Sequence, residues 1–119
     1  MQRKPTKNTR GPDASEKHYQ NWIKTERQTC AACGNKGPVI GHHCEGATFK
    51  HNKELVGHWF FIGLCQACDD VVTHGSRRGF RELFGPQSAM WEKEQIAYLI
   101  DTERECPPGV YMAIMDWGK

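Results

Sequence analysis

The chain has 119 residues, of which 38% are hydrophobic, and a formal net charge of +2 at pH 7. These values favour one domain with a modest core: we expect residues 1–12 to be a disordered basic tail and residues 13–119 to be a single domain. No apolar run approaches the roughly 20 residues that span a bilayer, and the N-terminus lacks the apolar stretch of a signal peptide. We therefore expect a cytoplasmic protein and exclude a membrane protein.

The positive charge is unevenly distributed. Seven of the 16 basic residues lie in two clusters: Arg3, Lys4, Lys7 and Arg10 in the tail, and Arg77, Arg78 and Arg81 in the second half. Such clusters favour phosphate-bearing partners, because neutralising a polyanion releases its counterions. For the tail alone, an ordinary solvated terminus is equally consistent with the composition.

The first predicted element is a helix over residues 14–28. Asp13 and Glu16 have the spacing of a capping box, in which each end of the pair caps a backbone N–H of the first turn. Three apolar or aromatic residues then fall on one helical face, which favours core packing: Tyr19, Trp22 and Ile23.

A hairpin is predicted next. A short strand beginning at Val39 ends at the doublet His42-His43, and the polar, glycine-containing segment 44–57 forms a long loop. The aromatic and β-branched run 59–62 predicts the second strand, which leads directly toward Cys65.

The remainder of the chain is predicted to be mainly helical. A helix over 65–74 stops at a glycine, a second helical stretch covers 79–85, and a broadly amphipathic helix covers 86–105. The apolar segment 110–115 is expected to dock as a strand or a short helix.

Two Cys-x2-Cys pairs flank the hairpin. Two intervening residues let both sulfurs of a pair point inward from one turn, so four thiolates in two such pairs predict one tetrahedral, structural zinc site. The ligands are Cys30, Cys33, Cys65 and Cys68; Cys44 and Cys106 are left over. A secreted disulfide protein is the less favoured alternative, because short paired spacings in a reducing compartment indicate metal.

The order of these segments is cysteine turn, strand ending in His-His, loop, strand, cysteine turn and helix. We therefore predict an α+β fold: a small zinc-stapled ββα-metal core with flanking N-terminal and C-terminal helices. Phosphodiester hydrolysis is a chemistry suited to such a unit, since histidine can deprotonate water near neutral pH and a divalent cation can act as Lewis acid. Alternatively, His42, His43 or Cys44 belongs to the zinc shell or merely packs in a turn.

These motifs resemble the HNH endonuclease superfamily, also called His-Me finger nucleases, and within it the small prophage-encoded, recombination-associated nucleases. The resemblance covers about residues 28–90 and is carried by Cys30-Ala-Ala-Cys33, Gly41-His42-His43, His58, Leu64-Cys65-Gln-Ala-Cys68-Asp69, His74-Gly75 and Phe80-Arg-Glu. It implies a metal-dependent DNA endonuclease, or a nickase, that serves phage recombination or replication in a bacterial cytoplasm.

The resemblance also implies a role for each matching residue. His43 matches the general base, and His42 matches the preceding ligand of a catalytic Mg²⁺ or Mn²⁺. His58 stands at the middle position, often Asn or Asp, which orients the base or the loop. Asp69 stands where the family most often has its last histidine ligand, and His74, about one helical turn beyond, is the alternative ligand.

The basic residues around this site are expected to hold the DNA backbone without reading bases. They are Arg77, Arg78, Arg81, Lys50 and Lys53. A solvated turn is an equally consistent interpretation of Arg77 and Arg78.

Two other functions compete with cleavage. A non-catalytic zinc module that binds DNA or a recombination protein would use the same cysteines and basic patches. A thiol-redox protein is disfavoured, because its single Cys-x2-Cys would need a thioredoxin-like βαβ context.

Overall fold

The computed structural model describes residues 12–44, 50–51 and 54–117, without the side chains of residues 50–51, 54–55 and 77. The predicted basic tail, apart from Pro12, and Lys53 lie outside the described residues. Within them the chain is a small α+β protein with five α-helices and a two-stranded antiparallel sheet beside a second, shorter strand pair.

The N-terminal helix begins where the capping box predicts. Helix α1 (Ala14–Trp22) starts after Asp13, whose side chain accepts from the backbone N–H of Glu16 at 2.9 Å, while Glu16 accepts from the N–H of Asp13 at 2.8 Å. A π-helical turn, Ile23–Arg27, continues α1 and ends at Gln28, which adopts a left-handed conformation with φ 42°. The predicted helix over 14–28 is therefore present, with a wider last turn.

The sheet joins the two strands that flank the histidine-rich segment. Strand β1 (Ile40–His43) pairs antiparallel with β4 (Phe61–Leu64), and His42 lies opposite Ile62 while His43 lies opposite Phe61. The predicted second strand, 59–62, is thus shifted by two residues toward Cys65. Between them, β2 (Lys50–His51) and β3 (Glu54–Leu55) form a short antiparallel pair.

Four helices follow the sheet: α2 (Gln66–His74), α3 (Arg77–Phe84), α4 (Gln87–Thr102) and α5 (Pro108–Trp117). Helix α3 starts two residues earlier than predicted, because the Ser76 hydroxyl caps it by accepting from the N–H of Gly79 at 2.9 Å. The C-terminal apolar segment is a helix, the second of its two predicted forms.

The core lies between α1, the sheet, α4 and α5 and is largely aromatic. Its fully buried side chains include Tyr19, Phe60, Trp91 and Tyr98. Two of these side chains form hydrogen bonds through their polar groups. The Tyr19 hydroxyl donates to the carbonyl of Phe61 at 2.6 Å, and the Trp91 indole N–H donates to the carbonyl of Trp59 at 2.6 Å. These bonds fix β4 against the helices.

Across the described ranges, no helix is both long and apolar enough to cross a bilayer.

Candidate metal centre and histidine site

The first cysteine pair lies in a tight turn that is bonded to the sheet. The N–H of Gly34 donates to the carbonyl of Cys30 at 2.9 Å, and the N–H of Cys33 donates to the Cys30 sulfur at 3.4 Å. Gly34 has φ +80°, a conformation that side chains rarely adopt, so glycine permits the turn. The N–H of Ala31 donates to the carbonyl of Gly63 at 2.8 Å and ties the turn to β4.

The second cysteine pair opens helix α2. Cys65 is the N-cap residue but makes no side-chain capping bond, and Cys68 lies in the first turn of the helix. Because residues three apart share a helix face, both sulfurs point the same way.

The two pairs meet in one cluster. The four sulfurs of Cys30, Cys33, Cys65 and Cys68 all lie within 4.8 Å of one another, and the Cys33 and Cys65 sulfurs are 3.8 Å apart. A tetrahedral zinc with bonds of about 2.3 Å requires sulfur separations of about 3.8 Å. The four cysteines are therefore positioned to bind a metal ion such as zinc, as their spacing predicts.

The electrostatics of the cluster favour a cation. Burial opposes ionisation of Cys30, but backbone N–H donors at Cys33, Cys65 and Ala32 lower its pKa to about 7. Burial, together with the Cys65 and Cys30 side chains, raises the pKa of Cys68 well above its ordinary value. Four thiols at this separation cannot all ionise without a compensating charge, so metal binding would release protons.

His42 and Asp69 face each other across the junction of β1 and α2. The Nδ1 atom of His42 lies 4.0 Å from Oδ1 of Asp69, and the two side chains are 19% and 17% exposed. Asp69 follows Cys68 directly, so the cysteine cluster fixes the start of α2 and with it the carboxylate. An imidazole and a carboxylate are both ligands for divalent cations, so His42 and Asp69 are the residues that would hold such an ion here.

His43 lies on the opposite face of the sheet. Side chains alternate along a strand, and the His43 ring packs at 5.0 Å from the Phe61 ring and at 5.6 Å from the His58 ring, both nearly edge-on. Its Nε2 atom lies 3.4 Å from Nε2 of Gln20 in α1. A ligand that contacts both His42 and His43 must therefore lie across the end of β1.

The imidazole of His43 is available as a base. Partial desolvation of the ring, followed by the neighbouring His58, His42 and Lys24, lowers the pKa of His43 below its ordinary value. The side chain is exposed, and its lowered pKa favours the neutral imidazole, the form that can accept a proton.

His58 is buried and its backbone is fixed by hydrogen bonds, so its side chain is not exposed at the surface. Its backbone N–H donates to Oε2 of Glu16 at 2.6 Å, and its side chain is 8% exposed. The carbonyl of His58 accepts from the Gln20 amide at 3.3 Å. Its position beside His43 suits an orienting residue, the role that the family resemblance implies, better than a reacting one.

His74 does not share the face of α2 that carries Asp69. A helix turns about 100° per residue, so a residue five positions on lies about 140° around the axis; Thr73, by contrast, approaches Asp69 at 3.5 Å. His74 is exposed at the last position of the helix. The geometry favours Asp69 as the partner of His42.

The predicted DNA-contacting residues are only partly described. Arg78 and Arg81 are exposed on α3, and Nε of Arg78 lies 3.3 Å from Oε1 of Glu82. The side chains of Arg77 and Lys50 are not among those described. The assignment of this cluster to DNA stays a prediction.

The sequence patterns do not predict that two residues of α1 contact the histidine site. Glu16 is recognisable as a capping residue, but its second oxygen holds the backbone of His58, 42 residues away. Gln20, one turn later on the same helix face, contacts His43 and His58. Their i, i+4 spacing is the signal that could have linked them.

Comparison with protein-family models, curated proteins and solved structures gives no significant match for this chain.

Proposed function

We propose that the protein is a metal-dependent DNA endonuclease of the HNH type, in which a structural zinc at the four cysteines sets the geometry of a ββα-metal site. One observation carries the proposal: the His42 and Asp69 ligand atoms lie 4.0 Å apart, on a strand and a helix that the cysteine cluster joins. His43, the next residue, lies on the other face of the strand, so a phosphate that contacts both histidines would cross the end of β1. A strand, a strand and a helix in this order, with ligands at the junction, support hydrolysis over simple binding.

His42 and Asp69 would hold Mg²⁺ or Mn²⁺. A carboxylate oxygen is the ligand that these hard cations prefer, and an imidazole is an acceptable companion. The bound ion supplies a Lewis acid for the scissile phosphate and for the leaving oxygen.

His43 would take a proton from the attacking water. Its low pKa keeps the ring neutral and able to accept at pH 7. Gln20, with its amide 3.4 Å from Nε2 of His43, and the buried His58 would orient the ring. Basic side chains on α3 would hold the phosphate backbone on either side.

Nicking of supercoiled plasmid by the zinc-loaded protein tests the proposal. With Mg²⁺ or Mn²⁺ added, the wild type should convert supercoiled to open-circular DNA, and His43→Ala should lower the rate at least ~100-fold, the range of a lost general base. His18→Gln, made in an exposed histidine of α1 whose Nδ1 lies 2.6 Å from the Tyr98 hydroxyl, is the matched control and should cut normally.

Zinc content and circular dichroism spectra must match among the three proteins. A wild type that is inert with every divalent metal but retards DNA would overturn the proposal in favour of the non-catalytic zinc module. Equal cleavage by wild type and His43→Ala would show a contaminating nuclease or a different base.

A further inference from the structure

Helix α4 presents an apolar stripe on the side that faces away from the core. At about 100° per residue, four of its positions fall within an arc of about 120°, and the C-cap residue follows them at the end of the helix. The five residues are Lys93, Ile96, Leu99, Ile100 and, at the C-cap, Glu103. All five are exposed, and the three apolar side chains are 52%, 43% and 78% exposed. The buried Trp91, Glu94 and Tyr98 occupy the opposite face of the helix.

A cavity opens beside this stripe. It has a volume of about 330 Å³, lies between α4 and α5, and has apolar walls from Ile96, Leu99, Pro108 and Met112. Ile100 is not among the residues that line it. The surface therefore combines a projecting apolar side chain with an apolar hollow about one helical turn away, the arrangement by which helices interlock knobs into holes.

The stripe carries a positive charge at its N-terminal end and a negative charge at its C-terminal end. Lys93 and Glu103 lie five residues before and five residues after Tyr98, and Ile96 and Ile100 lie two residues before and two after it. A two-fold axis at the level of Tyr98 would place each Lys93 opposite the partner's Glu103 and each Ile100 opposite the partner's Ile96. The stripe is thus complementary to an antiparallel copy of itself.

We propose that two copies of this chain associate through α4, packed antiparallel about a two-fold axis, with Ile100 of each copy in the α4–α5 cavity of the other. An isologous interface requires self-complementarity, and this face supplies it in both shape and charge. A parallel pairing would set Lys93 against Lys93 and Glu103 against Glu103. This inference is independent of the nuclease function.

The association is expected to be modest. An interface made by one helix from each copy buries an area near the lower end of the range for specific interfaces, roughly 1,200 Å² in total. A dissociation constant on the order of 10 µM is therefore expected. Sedimentation equilibrium of the zinc-loaded full chain from about 1 to 200 µM should show the mass rising from 13.6 kDa toward twice that value.

Ile100→Glu tests the apolar contact. The side chain is 78% exposed, so the substitution should leave the fold intact but raise the dissociation constant ~100-fold or more. Leu83→Glu is the matched control, because Leu83 on α3 is 69% exposed and lies outside the stripe; its dissociation constant should not change.

Charge reversal tests the antiparallel register. Lys93→Glu and Glu103→Lys should each weaken self-association about tenfold, since each sets like charges opposite one another in both symmetric pairs. An equimolar mixture of the two variants should recover the wild-type affinity as a heterodimer, because an acidic stripe then meets a basic one.

A chain that stays monomeric at 200 µM would overturn the proposal. So would a dimer that survives Ile100→Glu, a dimer that Leu83→Glu abolishes, or a mixture of charge variants no tighter than either alone. Recovery in the mixture would support the two-fold packing over any other face.

Discussion

Glu16 joins the start of helix α1 to His58 through its two carboxylate oxygens. One oxygen accepts from the N–H of Asp13 at 2.8 Å, and the other accepts from the N–H of His58 at 2.6 Å. The residue is only 1% exposed and its bond to His58 is buried, so the carboxylate fixes the turn before β4 against α1.

Glu16→Ala should therefore lower the free energy of unfolding by roughly 3 kcal/mol, since charge-assisted bonds contribute about 1.5–3 kcal/mol and a cap about 1 kcal/mol. Asp13→Ala, which removes only the cap, should cost about 1 kcal/mol. Urea unfolding of the zinc-loaded proteins measures the difference. Equal losses in the two variants would mean that the bond to His58 contributes nothing to stability.

We expect substitution of a cysteine in the cluster and of a cysteine outside it to have different effects on metal binding and stability. Cys68→Ser should lose the bound metal and most of the cooperative unfolding transition, because binding energy at a structural zinc site is also folding energy. Cys106→Ala alters a buried cysteine outside the cluster and should keep one zinc per chain while costing about 1–3 kcal/mol.

Metal analysis and thermal unfolding check both outcomes. Removal of zinc from the wild type by a chelator should reproduce the Cys68→Ser behaviour, and zinc addition should reverse it. Retention of one zinc per chain by Cys68→Ser would contradict the four-cysteine assignment.

Asp69 and His74 offer a test of the second, exchangeable metal. Under the proposed function, Asp69→Ala should lower nicking at least ~100-fold and raise the Mg²⁺ concentration needed for half-maximal rate, because it removes a metal ligand. His74→Ala should stay within about threefold of the wild type, since His74 lies on another face of α2. The reverse ranking would identify His74 as the ligand.

Much of this architecture follows from local patterns in the sequence. The Cys-x2-Cys spacing predicts the four-sulfur cluster, the Asp13–Glu16 pair predicts the start of α1, and the strand-like segments on either side of the histidine-rich loop predict the β1–β4 pair. These features depend on residues three positions apart or on short runs of aromatic and β-branched residues, which a single sequence displays.

The remaining features depend on contacts between distant residues. The histidine doublet looks like one site in the sequence, but strand alternation sends His42 toward α2 and His43 toward α1. The sequence also gives no sign that Glu94 is buried, because its partner Arg27 lies 67 residues away in the π-helical turn. Neither the composition nor the hydrophobic periodicity of a sequence indicates contacts between residues so far apart in the chain.

The Arg27–Glu94 pair predicts a pH dependence of stability. Nε of Arg27 donates to Oε1 of Glu94 at 3.0 Å, and the N–H of Gly63 donates to Oε2 at 3.3 Å. Burial nevertheless raises the pKa of Glu94 above its ordinary value of 4.5, against the opposing effects of Arg27 and Gly63. The folded protein therefore holds this proton more tightly than the unfolded chain does.

Stability falls with rising pH wherever the folded state binds more protons. The contribution of Glu94 should thus be fully present below about pH 4.5, the unfolded value, and should be lost as pH rises through the raised pKa of the folded state. The test measures the free energy of unfolding of the wild type and of Glu94→Gln between pH 5 and pH 8 at saturating zinc. The difference between the two proteins isolates the contribution of Glu94, because the cysteine cluster titrates in both. The wild type should lose stability relative to the variant as pH rises. A difference that grows in favour of the wild type would mean that Arg27 and Gly63 outweigh burial, and that the carboxylate has a lowered pKa.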